Sequence, residues 1–236
     1  MYAFFGKSLN TPFSLTPVRE IMKKFPAYLA SWDDIEKWAK EGAIRILEEG
    51  WMPDVVVGLA RGGWVAARLY CDYLGIKDLV SIKVEHWGVT ATPDGKAKLK
   101  YGTQYNFEGK KVLIVDDIAD TGESLTLAKS YIESKNPAEI KVATLLTIKT
   151  SKFKPDYFGE EIDWAWIVFP WNFVEDMINL VGNLFEEKEA LTADEIVELF
   201  KELHGMEVPK EKLEEALKFA QMRKIFKWDG QSWRKA

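Results

Sequence analysis

The sequence predicts an α/β protein: a parallel sheet flanked by helices, followed by a small C-terminal helix–helix–hairpin unit. Three observations carry this expectation. Short runs of consecutive apolar residues recur at 54–60, 79–84, 111–115 and 140–148, and read as strands buried on both faces. Stretches with helical apolar spacing separate most of them, the alternation that a parallel sheet with crossover helices requires. After Asn183 the composition turns rich in Glu and Lys, and two helical patterns precede a hairpin signal. A chain of 236 residues accommodates one sizeable domain, placed at 1–185, plus a small winged-helix-like unit at 186–236.

Residues 1–30 read as irregular, with Pro12, Pro17 and Pro26 as breakers and a short amphipathic piece at 18–24. Ser31 caps the first long helix, with Asp33 and Asp34 in its first turn and Gly50 at its end. The strand at 54–60 runs into the turn Arg61-Gly62-Gly63, and a helix over 64–74 stops at Gly75. A strand at 79–84 follows. Residues 88–109 are polar and aperiodic, which in a compact domain marks a lid or a disordered loop. The strand at 111–115 leads to a helix from Thr121 to about Ser134, and strands follow at 140–148 and 164–169. In the C-terminal unit, Thr192 and Glu195 form a capping box, Pro209 opens a second helix, and Asp229-Gly230 is the hairpin turn.

The bulk numbers narrow the function. A net charge of −5 gives no footprint for nucleic acid or an anionic membrane. A single cysteine, Cys71, excludes an internal disulfide and a cysteine-based zinc cluster; it lies in an apolar helical pattern and reads as a buried structural thiol. No apolar run is long enough to span a bilayer and no signal peptide is evident, so a cytoplasmic location is expected.

The chemistry concentrates in Val112-Leu113-Ile114-Val115-Asp116-Asp117-Ile118-Ala119-Asp120-Thr121-Gly122-Glu123-Ser124-Leu125. A buried strand delivers two adjacent carboxylates, which repel unless they face cations or hydroxyls. Asp120, Thr121, Gly122, Glu123 and Ser124 then open a helix, offering amides, two hydroxyls and a helix dipole to an anion. Asp-Thr-Gly alone could be an ordinary capping turn; the whole run reads as a site for a sugar phosphate and a metal ion. A second turn, Gly58-Leu59-Ala60-Arg61-Gly62-Gly63-Trp64, also joins a buried strand to a helix, and its glycines let amides approach a diphosphate.

These two segments resemble the phosphoribosyl-pyrophosphate (PRPP) signature and the pyrophosphate loop of type I phosphoribosyltransferases. The resemblance spans about residues 31–175 and implies that family's parallel-sheet fold. It implies that residues 116–124 hold the ribose and 5′-phosphate of PRPP. Asp116 and Asp117 would bind Mg²⁺ directly or through water. Ala60, Arg61 and Gly62 would hold the pyrophosphate, with the Ala60–Arg61 peptide the one that becomes cis. In the 6-oxopurine branch, the acid matching Asp120 lies near N7 of the base and is the candidate for taking its proton. The loop at 88–109, with Lys96, Lys98, Lys100 and Tyr101, matches the family's flexible catalytic loop; His86 and Trp87 precede it and receive no role.

Lys149 and the segment Trp166-Ile167-Val168-Phe169-Pro170-Trp171-Asn172 resemble the base-binding region of bacterial xanthine–guanine phosphoribosyltransferases. There a lysine contacts the 6-oxo oxygen, which implies Lys149 here. Trp166 would stack on the purine, and a backbone group of Ile167 would read its edge. That family carries acids where this chain has Val168 and Asn172, which leaves hypoxanthine at least as plausible as guanine or xanthine. The expected reaction is transfer of the 5-phosphoribosyl group from PRPP to a 6-oxopurine in purine salvage, by a homodimer that engages neither nucleic acid nor membrane. The alternatives are a transferase for another base, or a PRPP-sensing regulator with a DNA-binding C-terminal unit. Ten lysines and arginines against twelve acids in residues 186–236 argue against the regulator.

Overall fold

The computed structural model describes residues 24–85 and 98–236. Six strands form the main sheet: β2 (Val55–Ala60), β3 (Leu79–Glu85), β4 (Lys98–Tyr101), β5 (Lys111–Ala119), β6 (Glu139–Ile148) and β7 (Tyr157–Ile162). Their order is β4-β3-β2-β5-β6-β7, and every pairing is parallel except β3 with β4. Helices α1 (Trp32–Glu49) and α2 (Gly62–Leu74) cover one face, and α3 (Glu123–Glu133) covers the other. Alternation along β5 divides its side chains. Leu113 and Val115 join the core beneath α1 and α2, while Val112 and Ile114 join the core beneath α3. Both faces are thus dry, which is why the strand reads as an uninterrupted apolar run.

Helix ends obey the local signals. Ser31 and Asp34 form a complete capping box at α1, and Gly50 closes it in a left-handed conformation. Gly75 closes α2 the same way. Cys71 is buried within α2, and burial raises its thiol to about 11.

Several expectations are corrected. The segment at 164–169 is not a strand of the main sheet. Its core, β8 (Trp166–Val168), pairs in parallel with β1 (Ala27–Leu29), a strand inside the N-terminal stretch read as irregular. The sheet position beside β6 belongs instead to β7, whose Tyr-Phe-Gly-Glu-Glu-Ile sequence is too polar to announce a strand. Part of the loop at 88–109 is ordered. Lys98, Lys100 and Tyr101 lie in β4, Phe107 is fully buried, and Tyr105 Oη donates to Asp78 Oδ2 at 2.5 Å. His86, Trp87 and residues 88–97, including Lys96, lie outside the described residues, as do residues 1–23 with most of the amphipathic piece at 18–24.

Helix α4 (Phe173–Leu184) was not anticipated. With α5 (Ala193–His204), α6 (Lys210–Met222) and the hairpin β9 (Phe226–Trp228) and β10 (Trp233–Lys235), it builds a separate core. Met177, Val181 and Leu184 of α4 pack there with Phe200, Leu213, Leu217, Phe226 and Trp233. This core crosses the boundary expected between 185 and 186, because α4 turns its apolar face to the C-terminal helices. Thr192 and Glu195 form the anticipated capping box. The hairpin loop has four residues rather than two. Asp229 Oδ1 accepts from the amides of Gln231 (3.0 Å) and Ser232 (2.8 Å), which takes both N–H groups away from the ladder, while Ser232 O accepts from Asp229 N–H at 3.2 Å.

Candidate active site

The sheet order creates a switch point. The connection from β2 through α2 to β3 runs one way, and that from β5 through α3 to β6 runs the other, so the adjacent C-terminal ends of β2 and β5 flank a crevice. Ligands of open α/β sheets bind in such crevices. The two sequence segments that carry the chemistry meet there.

Their contact is close. A Cβ built on Gly62 would lie 1.6 Å from Asp117 Oδ2, and one on Gly63 would lie 2.7 Å from Asp116 Oδ1. Only glycine lets the turn after β2 rest on the two carboxylates. The Ala60–Arg61 peptide is cis, at the position the resemblance implied.

Asp116 and Asp117 lie near the C-terminal end of β5, toward the crevice. Part of each residue reaches solvent, but protein encloses the carboxyl groups. Burial raises both, and Asp116 is raised further by the charge of Asp117, against the pull of the Asp117 and Gly63 amides. Asp116 is pushed well above the carboxylate range and Asp117 to about 6. Asp117 N–H donates to Asp116 Oδ1 at 3.0 Å. Without a cation the pair favours holding a proton.

Asp120 and Thr121 are exposed just past β5. Gly122 is the N-cap of α3 at φ 82°, and a Cβ there would meet Phe153 Cβ at 2.2 Å. Neither Gly122 at α3 nor Arg61 at α2 supplies a side-chain cap, unlike Ser31 and Thr192 at α1 and α5. First-turn amides there turn to other groups: Glu123 N–H donates to Thr121 Oγ1 at 3.4 Å, and the Gly63 amide bonds the Asp116 carboxyl. Glu123 is exposed and Ser124 partly buried at the start of α3.

The expected base-binding residues lie along one flank. Trp166 N–H donates to Pro26 O at 2.9 Å, and Val168 O accepts from Ala30 N–H at 3.1 Å. A parallel ladder alternates, so the N–H and C=O of Ile167 point to the edge of β8 away from β1. The Ile167 side chain is buried with the α1 and α2 core, whereas Trp166 packs against the C-terminal core. Lys149 is half-exposed just past β6, with Nζ 2.9 Å from Asp163 Oδ2.

Two site neighbours, Glu175 and Asp176, escaped the sequence reading, and Trp171 of the expected base-binding segment joins them. Trp171 stacks on Phe169 at 4.8 Å, and its indole faces Asp117, holding that carboxyl's pKa down without completing a hydrogen bond. Glu175 Oε1 accepts from Arg61 Nη2 at 2.9 Å. Asp176 is buried and raised to about 7 by burial and by Glu175; its Oδ2 and the Trp166 Nε1 it faces are both buried without a hydrogen-bond partner. The acidic Glu-Asp pair after an aromatic segment was the available signal.

Among the described residues, no group of three or more His, Cys, Asp or Glu is placed to hold a metal ion. The two carboxylates at the β5 end fit Mg²⁺ in its usual manner, bound through one or two carboxylates with substrate phosphates and water completing the shell. No helix among the described residues is long and apolar enough to cross a membrane.

A parallel sheet with a glycine turn and an acid-bearing strand at its switch point defines the class: a type I phosphoribosyltransferase fold. A family model, the phosphoribosyl transferase domain, matches residues 29–176, and the chain belongs to that family. The hypoxanthine-guanine phosphoribosyltransferase of Aquifex aeolicus is 30% identical over 151 residues, covering 61% of this chain and 85% of that protein. The xanthine-guanine phosphoribosyltransferase of Cereibacter sphaeroides is 27% identical over 163 residues, 66% and 92% of the two chains. A solved purine phosphoribosyltransferase from Pyrococcus horikoshii superposes with a TM-score of 0.54 at 29% identity, covering 61% of this chain and 93% of that one. The protein is thus an enzyme of the phosphoribosyl-transferring class.

Proposed function

We propose that the enzyme transfers the 5-phosphoribosyl group of PRPP to a 6-oxopurine, releasing pyrophosphate, in purine salvage. The observation that carries this reading is the seating of Gly62 and Gly63 directly on Asp117 and Asp116 at the switch point. That contact brings a diphosphate-binding turn within reach of two carboxylates suited to a ribose diol.

Each residue then has a role. Asp116 and Asp117 accept from the ribose hydroxyls and hold Mg²⁺, which neutralises the leaving diphosphate when bound. The α3 N-terminus, with Thr121, Gly122, Glu123 and Ser124, receives the 5′-phosphate. Ala60, Arg61 and Gly62 hold the pyrophosphate. The outward backbone of Ile167 reads the purine edge, Trp166 forms part of the base wall, and Lys149 exchanges Asp163 for the 6-oxo oxygen. Asp120 accepts the N7 proton as the base attacks the anomeric carbon. Rate enhancement comes mainly from positioning and from stabilising separated charge. Val168 and Asn172 lack the acids of xanthine-guanine relatives, which keeps hypoxanthine level with guanine and xanthine. A cytoplasmic homodimer belongs to the same proposal.

Incubating the protein with PRPP, Mg²⁺ and each of hypoxanthine, guanine, xanthine and adenine, and following pyrophosphate release, tests it. Turnover with a 6-oxopurine but not adenine is expected. Turnover with adenine alone, or with none of the four, overturns it.

A further inference from the structure

Arg61 carries the one long, flexible charged side chain of its turn, and the turn itself does not hold it. The glycines that follow lock the main chain against Asp116 and Asp117. The guanidinium instead reaches across to α4, where Glu175 accepts from Nη2 at 2.9 Å over a separation of 114 residues. About two thirds of the Arg61 side chain and half of the Glu175 side chain are exposed, so the pair sits at the mouth of the crevice.

Glu175 is firmly based. It lies in the first turn of α4, and Met177, Val181 and Leu184 along the same helix are buried with Phe200, Leu213 and Leu217 of the C-terminal helices. Those helices fall beyond the stretch matched by the family model, which ends at residue 176. The C-terminal unit thereby sets the place of an acid that grips the turn after β2. One nitrogen of the guanidinium is engaged; the remaining donors of its planar fork stay available to a second oxyanion.

We propose that Glu175 is a positioning residue for the pyrophosphate turn: it orients the Arg61 guanidinium toward the diphosphate, and the C-terminal unit supports it through α4. This rests on the reading that Arg61 meets pyrophosphate. It gives the C-terminal unit a part in the transferase site rather than a separate ligand of its own.

The test measures binding of Mg²⁺-pyrophosphate and of inosine 5′-monophosphate to the full chain by titration calorimetry. Glu175→Ala removes the acceptor, and pyrophosphate affinity is expected to fall about three- to fivefold, the scale of a partly exposed ion pair. Glu175→Gln keeps an oxygen acceptor at the same reach and is expected to retain at least half of the wild-type affinity. In an Arg61→Ala background, Glu175→Ala is expected to cost nothing further. Nucleotide affinity, which reports the 5′-phosphate and base sites, stays unchanged throughout. Wild-type pyrophosphate affinity in Glu175→Ala overturns the proposal. So does an equal loss in the Arg61→Ala background, or a parallel loss of nucleotide affinity. A wild-type protein that binds neither ligand overturns the reading of the site itself, which a silent Glu175→Ala in a binding-competent protein does not.

Discussion

The crevice and the C-terminal unit are built by opposite habits. Around the C-terminal core, α5 has a full capping box, Gly205 closes it in the left-handed region, and Asp229 collects the amides of its own loop. At the crevice, two carboxyls sit side by side with protein around them, and the buried indole N–H of Trp171 beside them lacks a partner. Burying two adjacent carboxyls costs stability that a bound cation and hydroxyls would return.

The comparison can be broken at either end. The largest effect is expected for Asp120→Asn, which keeps the shape of an exposed residue but cannot take a proton. Turnover should fall by roughly 10² to 10⁴ while the PRPP dissociation constant, measured by calorimetry, stays within about twofold. Near-normal turnover would remove Asp120 from proton transfer.

Asp117→Asn sharpens the contrast from the stability side. The folded pKa of about 6 lies above the ordinary 3.8, so the folded state binds the proton more tightly than the unfolded chain. Ionisation therefore costs stability in full above pH 6, and the cost fades as pH falls toward 4. The variant should be more stable than the wild type at pH 7.5 in the ligand-free state and progressively less so toward pH 4, while losing Mg²⁺-PRPP binding. Urea denaturation at the two pH values reads this; a destabilised variant at pH 7.5 would contradict it.

The same shift predicts proton release. Binding of Mg²⁺-PRPP favours the ionised pair, so affinity should rise with pH through about 6, where Asp117 ionises, and continue to rise as Asp116 follows. Calorimetry in buffers of different ionisation enthalpy should register released protons near pH 6, and none would argue that the carboxylates are already charged. A smaller effect is expected for Lys149→Ala. It should raise the requirement for base about fivefold and leave that for PRPP unchanged; the reverse would place Lys149 outside the base site. Smallest is Thr192→Ala, which should cost about 1 kcal/mol of stability with unchanged transferase kinetics.

Legibility in the sequence followed the same division. β2 and β5 announce themselves because both faces are covered, and the candidate site residues lie at or just past their C-terminal ends. β7 was hidden, since its adjacent Glu160 and Glu161 suit a sheet edge but break the apolar run, and Gly159 is there because Trp38 backbone lies within 2.6 Å of where a Cβ would be. β8 reads as a strand locally, yet nothing nearby reveals that its partner is Ala27–Leu29 rather than the main sheet. Glu175 and Asp176 became site neighbours through packing over long separations, with the acidic pair after the aromatic segment as the one local signal. Helix α4 shows an apolar stripe at Met177, Leu180, Val181 and Leu184, a periodicity that the change of texture after Asn183 obscured.

The β1–β8 pair has a consequence for biogenesis. Its two strands are the first and the eleventh of the described elements in order of synthesis, so a ribosome must deliver nearly the whole family domain before Tyr28 finds Ile167. β2 through β6, with the acids and the glycine turn, can assemble earlier from shorter-range pairings. A nascent chain is therefore expected to acquire its anion-binding floor first and its base-reading wall last. Pulsed hydrogen exchange during refolding should protect the Val115 amide before that of Val168.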